Sequence, residues 1–114
     1  MSSTRAARQR GRSPPVQLTA QQLFALAVGR TIRVLRVRRQ LSQETLGQLA
    51  DMHRNFVGHV ERAEGNPTLS TIVRLIVALD FAIGEVGAVF TTCLREIRRD
   101  AAAGRAERLG AVLA

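Results

Sequence analysis

The 114-residue sequence has no tryptophan, no tyrosine and no lysine, and only four phenylalanines, three prolines and one cysteine. Each shortage excludes something. The single cysteine, Cys93, rules out an internal disulfide framework and fits a reducing compartment. With aromatics scarce, the core has to be assembled from Leu, Ile, Val and Ala, a mixture that suits packed helices. No apolar run approaches the ~20 residues a bilayer demands; stretches such as Leu75 to Leu79 and Leu23 to Gly29 are among the longest. Without a signal peptide the expected compartment is the cytoplasm, on the nucleoid. Pro14 and Pro15 interrupt any amphipathic transit helix in the Arg-rich N-terminus. No Gly-rich phosphate loop, Ser/His/Asp set or carboxylate pair occurs in a plausible arrangement, so enzymatic activity is not expected. Nor is a metal, because His53 and His59 lie about 240° apart around a helix and Cys93 has no second thiol to join it. No cofactor is expected.

What the chain has is arginine. Lys and Arg total 17, all of them Arg, against nine acids, for a net charge of +8. Residues 1–39 carry nine Arg and no acid, whereas residues 40–114 carry eight Arg and nine acids. The guanidinium is the cation best shaped for bidentate contact with phosphate or guanine, although a GC-rich genome supplies Arg for coding reasons alone. At this length one domain buries roughly two-thirds of its unfolded surface.

The apolar spacing predicts an all-α chain of five helices. Thr19 and Gln22 fit a capping box, and Leu23, Leu26, Ala27, Ile32 and Leu35 then recur at helical intervals to about Gln40. Ser42 caps a short second helix with Leu46, Leu49 and Ala50 inward. Asp51 and Met52 make a tight connection to a third helix, from about His53 to Arg62, with Phe56, Val57 and Val60 as its inner stripe. Gly65-Asn66-Pro67 breaks the pattern. Thr68 or Ser70 caps a fourth helix that buries Leu69, Ile72, Leu75, Ile76 and Leu79, and a longer fifth helix runs from about Ile83 to Arg99.

Two short helices joined by a tight turn, the second with an exposed polar face, describe a helix-turn-helix. The outward positions of the third helix are Arg54, Asn55, Gly58, His59 and Arg62. Arg and Asn pair bidentately with guanine and adenine in a major groove. Arg54 stands in the first turn, where the helix dipole disfavours a cation by ~0.3–1 kcal/mol. That cost is offset if the side chain meets DNA.

The stretch LSQETLGQLADMHRNFVGHVERAEGNPTL, Leu41 to Leu69, resembles the helix-turn-helix of the Cro and phage-repressor group, the bacterial xenobiotic-response-element family. The similarity extends over about residues 28–90. It rests on Ser42-Gln43 through Leu46-Gly47, on Glu61-Arg62-Ala63, on Asn66-Pro67, and upstream on Ile32 to Arg36. The resemblance implies a lambda-repressor-like domain that binds double-stranded DNA and regulates transcription. It implies that Gln43 bonds a phosphate, that Arg54, Asn55 and His59 face bases, and that His53 and Asn66 lie near the backbone. It also implies an ion pair of Arg36 with Glu61, tying the first helix to the recognition helix. The chain departs from the family pattern at three positions. Asp51 replaces Gly in the turn, Gly47 replaces Ala at a cost of roughly 1 kcal/mol, and Ala63 replaces the Gly that ends the recognition helix, leaving that role to Gly65.

Along the fifth helix, Ile83, Val86, Phe90, Cys93 and Ile97 follow spacings of three, four, three and four, and Val89 and Leu94 widen the stripe. Such a seam is expected to face a second subunit, in a two-fold dimer on an inverted-repeat operator. The competing expectation packs the stripe on helices one and four of the same chain. The expected layout is a disordered basic arm over residues 1–18, a DNA-binding domain over 19–81, and a dimerising C-terminal helix and tail over 82–114. Arg5, Arg8, Arg10 and Arg12 of the arm would add non-specific affinity. The family also includes antitoxins and controllers of restriction–modification genes, so the alternative is a protein that binds a partner protein as well as its own promoter.

Overall fold

The computed structural model describes residues 13–110, so Arg5, Arg8, Arg10 and Arg12 of the expected arm lie outside the described residues. Among the described residues the chain forms α1 (Ala20–Arg38), α2 (Gln43–Ala50), α3 (Arg54–Glu61), α4 (Leu69–Leu79), α5 (Ile83–Ala102) and a short 3-10 turn (Ala106–Arg108), with no strand.

Side-chain oxygens start three of these helices. Thr19 accepts from the Gln22 amide at 3.0 Å while the Gln22 side chain accepts from the Thr19 amide at 2.9 Å, completing the capping box of α1. Ser42 and Thr68 cap α2 and α4 in the same way, through the amides of Thr45 and Thr71. The ends are less usual. Gln40, Asp51, Ala63 and Asp80, which follow α1 to α4, all have positive φ between 55° and 58° although none is glycine. After α3, the Ala63 amide bonds the Val60 carbonyl and the Glu64 amide bonds the His59 carbonyl, which is the Schellman pattern with Ala63 in the left-handed position. The recognition helix therefore ends at Ala63, not at Gly65 as expected. Two arginines stabilise other helix ends. Arg74 donates to the carbonyls of Ala50, at 2.9 Å, and Asp51 at the end of α2. Arg39 donates to those of Leu79, at 3.0 Å, and Asp80 at the end of α4, with its guanidinium 4.1 Å over the Phe81 ring.

The glycines serve close approach instead. A methyl at Gly29 would stand 2.5 Å from the Val60 carbonyl oxygen, so α1 rests directly on the end of α3. A methyl at Gly47 would stand 2.5 Å from the Met52 carbonyl oxygen, so in this chain the turn folds back onto α2 more closely than an alanine would allow. The helix-propensity loss expected at Gly47 thus accompanies a closer approach of the turn to α2.

Two apolar clusters hold the chain. The main one joins Val28, Ile32 and Leu35 of α1, Leu46 and Ala50 of α2, Val57 and Val60 of α3, Ile72, Leu75 and Leu79 of α4, and Val86, Val89 and Cys93 of α5. The second joins Ala25, Leu26 and Ala27 to Ala63, Ile97, Ala101 and Leu109, with Val16, Leu18, Leu23 and Leu94 against it. Residues 13–18, expected to belong to a disordered arm, instead run along α5. The Val16 amide bonds the Ala101 carbonyl at 2.7 Å, and Val16 and Leu18 find an apolar surface in the second cluster.

The two clusters together correct the expected dimer seam. Val86, Val89, Cys93 and Ile97 are buried inside their own chain, and Phe90 and Leu94 are half-buried against it. α5 lies along α1 and is needed to fill both clusters, so of the seam only Ile83 is left fully outward, at 76% exposure. Leu49, Phe56 and Leu69, expected inward, are exposed. α2 and α3 are two turns long, and each meets the core through a narrow stripe, Leu46 with Ala50 and Val57 with Val60. Phe56 sits about 100° round the helix from Val57, and Leu69 opens α4 at its free end.

Candidate nucleic-acid interface

α3 is an eight-residue helix whose inner face is fixed and whose outer face is polar. Its N-cap is His53, whose Nδ1 accepts from the Asn55 amide at 3.0 Å. Arg54, Asn55, His59 and Arg62 are exposed beside one another on and just past the helix. Gly58 does not join them. It is buried, and a methyl there would meet the Arg62 guanidinium at 2.9 Å and the Gln43 side-chain oxygen at 3.3 Å. Gly58 lets Gln43 and Arg62 lie across the helix; it does not itself present a reading group.

The inner anchor is Glu61. Arg36 of α1 grips its carboxylate at both oxygens, Nε to Oε2 at 2.6 Å and Nη2 to Oε1 at 2.9 Å, and donates its remaining nitrogen to the Leu41 carbonyl at 2.8 Å. The two side chains are 14% and 4% exposed. The hydrogen bond to Glu61 raises the Arg36 pKa above its ordinary value despite the opposing effect of burial. Gln43, expected to reach a phosphate, donates its amide to the same carboxylate at 3.2 Å. One carboxylate thus ties α1, α2 and α3 together and sets the angle at which α3 leaves the surface.

Each outward arginine has a carboxylate beside it, and this is the feature the sequence reading missed. Arg54 lies 3.7 Å from Glu44, which stands in the first turn of α2. Arg62 bonds Glu64 at 2.9 Å, and His59 Nε2 is 3.6 Å from the other oxygen of the same carboxylate. The Arg62 hydrogen bond holds the Glu64 carboxyl below the usual range. The signal was available, because a helix-turn-helix sets the first turns of α2 and α3 near each other. Residues 42–66 hold two arginines against four carboxylates, a net charge of −2 with histidines neutral. Asn66 is exposed in the loop beyond Gly65, at the rim of a cleft that also includes Gln21 and Ala63. Among the described residues no group of three or more His, Cys, Asp or Glu side chains is placed to hold a metal ion, and no helix is long and apolar enough to cross a membrane.

Comparison with known proteins agrees with this geometry. A family model described as a helix-turn-helix domain matches residues 27–88. The control protein C.SmaI of Serratia marcescens is 42% identical over 52 residues, which cover 46% of this chain and 62% of that protein. The immunity repressor protein of Bacillus phage phi105 is 31% identical over 61 residues, 54% of this chain and 42% of that protein. The chain therefore spans less than two-thirds of the length of either curated relative. The crystal structure of the restriction-modification controller protein C.AhdI from Aeromonas hydrophila matches with a TM-score of 0.50 at 40% identity, covering 54% of this chain and 94% of that one.

Proposed function

The chain belongs to the helix-turn-helix domain family, and from that premise we propose that it is a transcriptional regulator that binds specific double-stranded DNA as a homodimer on an inverted repeat. The observation that carries this is the outer face of α3, where Arg54, Asn55 and His59 stand exposed together while Glu61 pins the inner face to α1. In a major groove Arg54 donates to a guanine edge and Asn55 pairs with an adenine, with His53 and Asn66 beside the phosphates. In the free protein Glu44 stands beside Arg54 and Glu64 holds Arg62. A random stretch of phosphates competes poorly with them, whereas a matched base edge adds directional bonds, so the acids favour discrimination over raw affinity.

A helix of two turns reads only a few base pairs, and useful discrimination requires a second one. Ile83 and Phe24 rim an apolar groove between α1, α4 and α5, and Val73 and Val77 lie exposed one turn apart on α4. This surface replaces the α5 seam as the dimer contact, with a second copy of the chain as its occupant. The likeness to a restriction-modification controller protein, together with that to the control protein C.SmaI, supports regulation of restriction–modification genes as the specific role, exercised in the cytoplasm.

The test is Arg54→Ala on the preferred duplex. Affinity is expected to fall by ~1–3 kcal/mol with preference relaxed at about one base pair per half-site. Equal losses on every sequence would mean that Arg54 contacts only backbone.

A further inference from the structure

The C-terminal half of α5 carries a second charged cluster, centred on Asp100 beyond the matched residues 27–88 and joined from within them by Arg30. Asp100 is buried, its side chain 8% exposed, and three guanidiniums converge on it. Arg105 Nε bonds its Oδ1 at 2.9 Å, and Arg30 and Arg108 stand 3.7 Å and 3.6 Å from its oxygens. Arg30 also donates to the Arg108 carbonyl, which fixes the segment after α5 against α1. These groups, with Arg99 and Glu96, line an open cavity of about 650 Å³.

Donors exceed acceptors here. One carboxylate serves three guanidiniums, and only the Arg105 contact is at hydrogen-bond length, so most N–H groups of Arg30 and Arg108 are not used by Asp100. Arg99 faces the same cavity, and among the described residues it forms no ion pair. Four arginines against Asp100 and Glu96 leave the lining at a net +2. Asp100 holds the guanidiniums in place without neutralising them, an arrangement suited to a ligand with more negative charge and planar acceptor pairs.

We propose that this cavity binds a phosphate group, held by Arg99 and Arg108 with Arg30 and Arg105 positioned behind them by Asp100. Its volume lies within the ~300–1,000 Å³ of small-ligand sites. The phosphate comes either from a phosphorylated small molecule or from a DNA backbone that this face touches. The site does not depend on the DNA-reading role of α3.

Pyrophosphate serves as the probe, titrated against the full chain with sodium chloride at matched ionic strength as control. A saturable rise of several degrees in melting temperature is expected, beyond the chloride effect. Arg99→Gln, which lies outside the Asp100 pairs and so spares the fold, should weaken the pyrophosphate response about tenfold. The source follows from a parallel titration of a duplex lacking any preferred site. Unchanged duplex affinity in Arg99→Gln assigns the site to free phosphorylated molecules, whereas a salt slope shallower by about one assigns it to the backbone. A pyrophosphate effect no larger than that of chloride, or one identical in Arg99→Gln, would overturn the proposal.

Discussion

Glu61→Ala is expected to lower the melting temperature by more than about 10 °C. The reason is the company Glu61 keeps. Its removal strands the Arg36 guanidinium at 14% exposure with no counter-charge and releases the Gln43 amide, both of which rest on that carboxylate. Breaking one side of a buried pair costs ~3–5 kcal/mol, whereas replacing both sides by apolar residues is often neutral. Glu61→Ala with Arg36→Met should therefore recover most of the loss. Thermal unfolding followed by circular dichroism checks both variants. An unchanged midpoint in the single variant would mean that the pair is solvated and that α3 is oriented by packing alone.

Ile83→Glu is expected to lower affinity for a duplex with two half-sites by about 10²–10⁴-fold while leaving the melting temperature of the dilute protein unchanged. Ile83 is 76% exposed, so a carboxylate there costs the monomer little but is stranded in an apolar contact. Phe90 would be the wrong probe, since it packs against both apolar clusters and a charge there would unfold the chain. Sedimentation should show a wild-type dimer and an Ile83→Glu monomer at tens of micromolar, and the half-site affinity of the two proteins should agree. A wild-type monomer with undiminished operator affinity would refute dimeric binding through this face.

Helix spacing and caps were legible in the sequence because they are local. Thr19 with Gln22, Ser42, and the Gly65-Asn66-Pro67 break each act within four residues. The outward set of α3 was legible for the same reason, apart from Gly58. A glycine shows no side chain by which to tell an open face from one covered by Gln43 and Arg62. What the sequence hid was tertiary. The 3.5-residue spacing of the α5 stripe is the same for a dimer seam and for a helix filling its own core. Only the two apolar clusters, the first taking Val86, Val89 and Cys93 and the second taking Ile97 with Val16, Leu18 and Leu109, decide between them. Charge was hidden too. Arg39 and Arg74 look like DNA contacts in a count of arginines, yet they bond helix ends forty and about two dozen residues away. Ala63 carries the left-handed turn because Leu26, Ile97 and Ala101 share its cluster, which gives its methyl an apolar environment that Gly65 would not supply.

Sequence-specific reading of duplex DNA by α3 is tested by recovery of bound duplexes from a random pool by the full chain, followed by sequencing. The expected result is one enriched motif of two inverted half-sites, centred about 10–10.5 base pairs or a multiple apart, or roughly 34 Å per turn. Repeated with Arg54→Ala, the selection should lose preference at about one position in each half-site. A recovered pool no different from the input, at salt low enough for binding to occur, would contradict it.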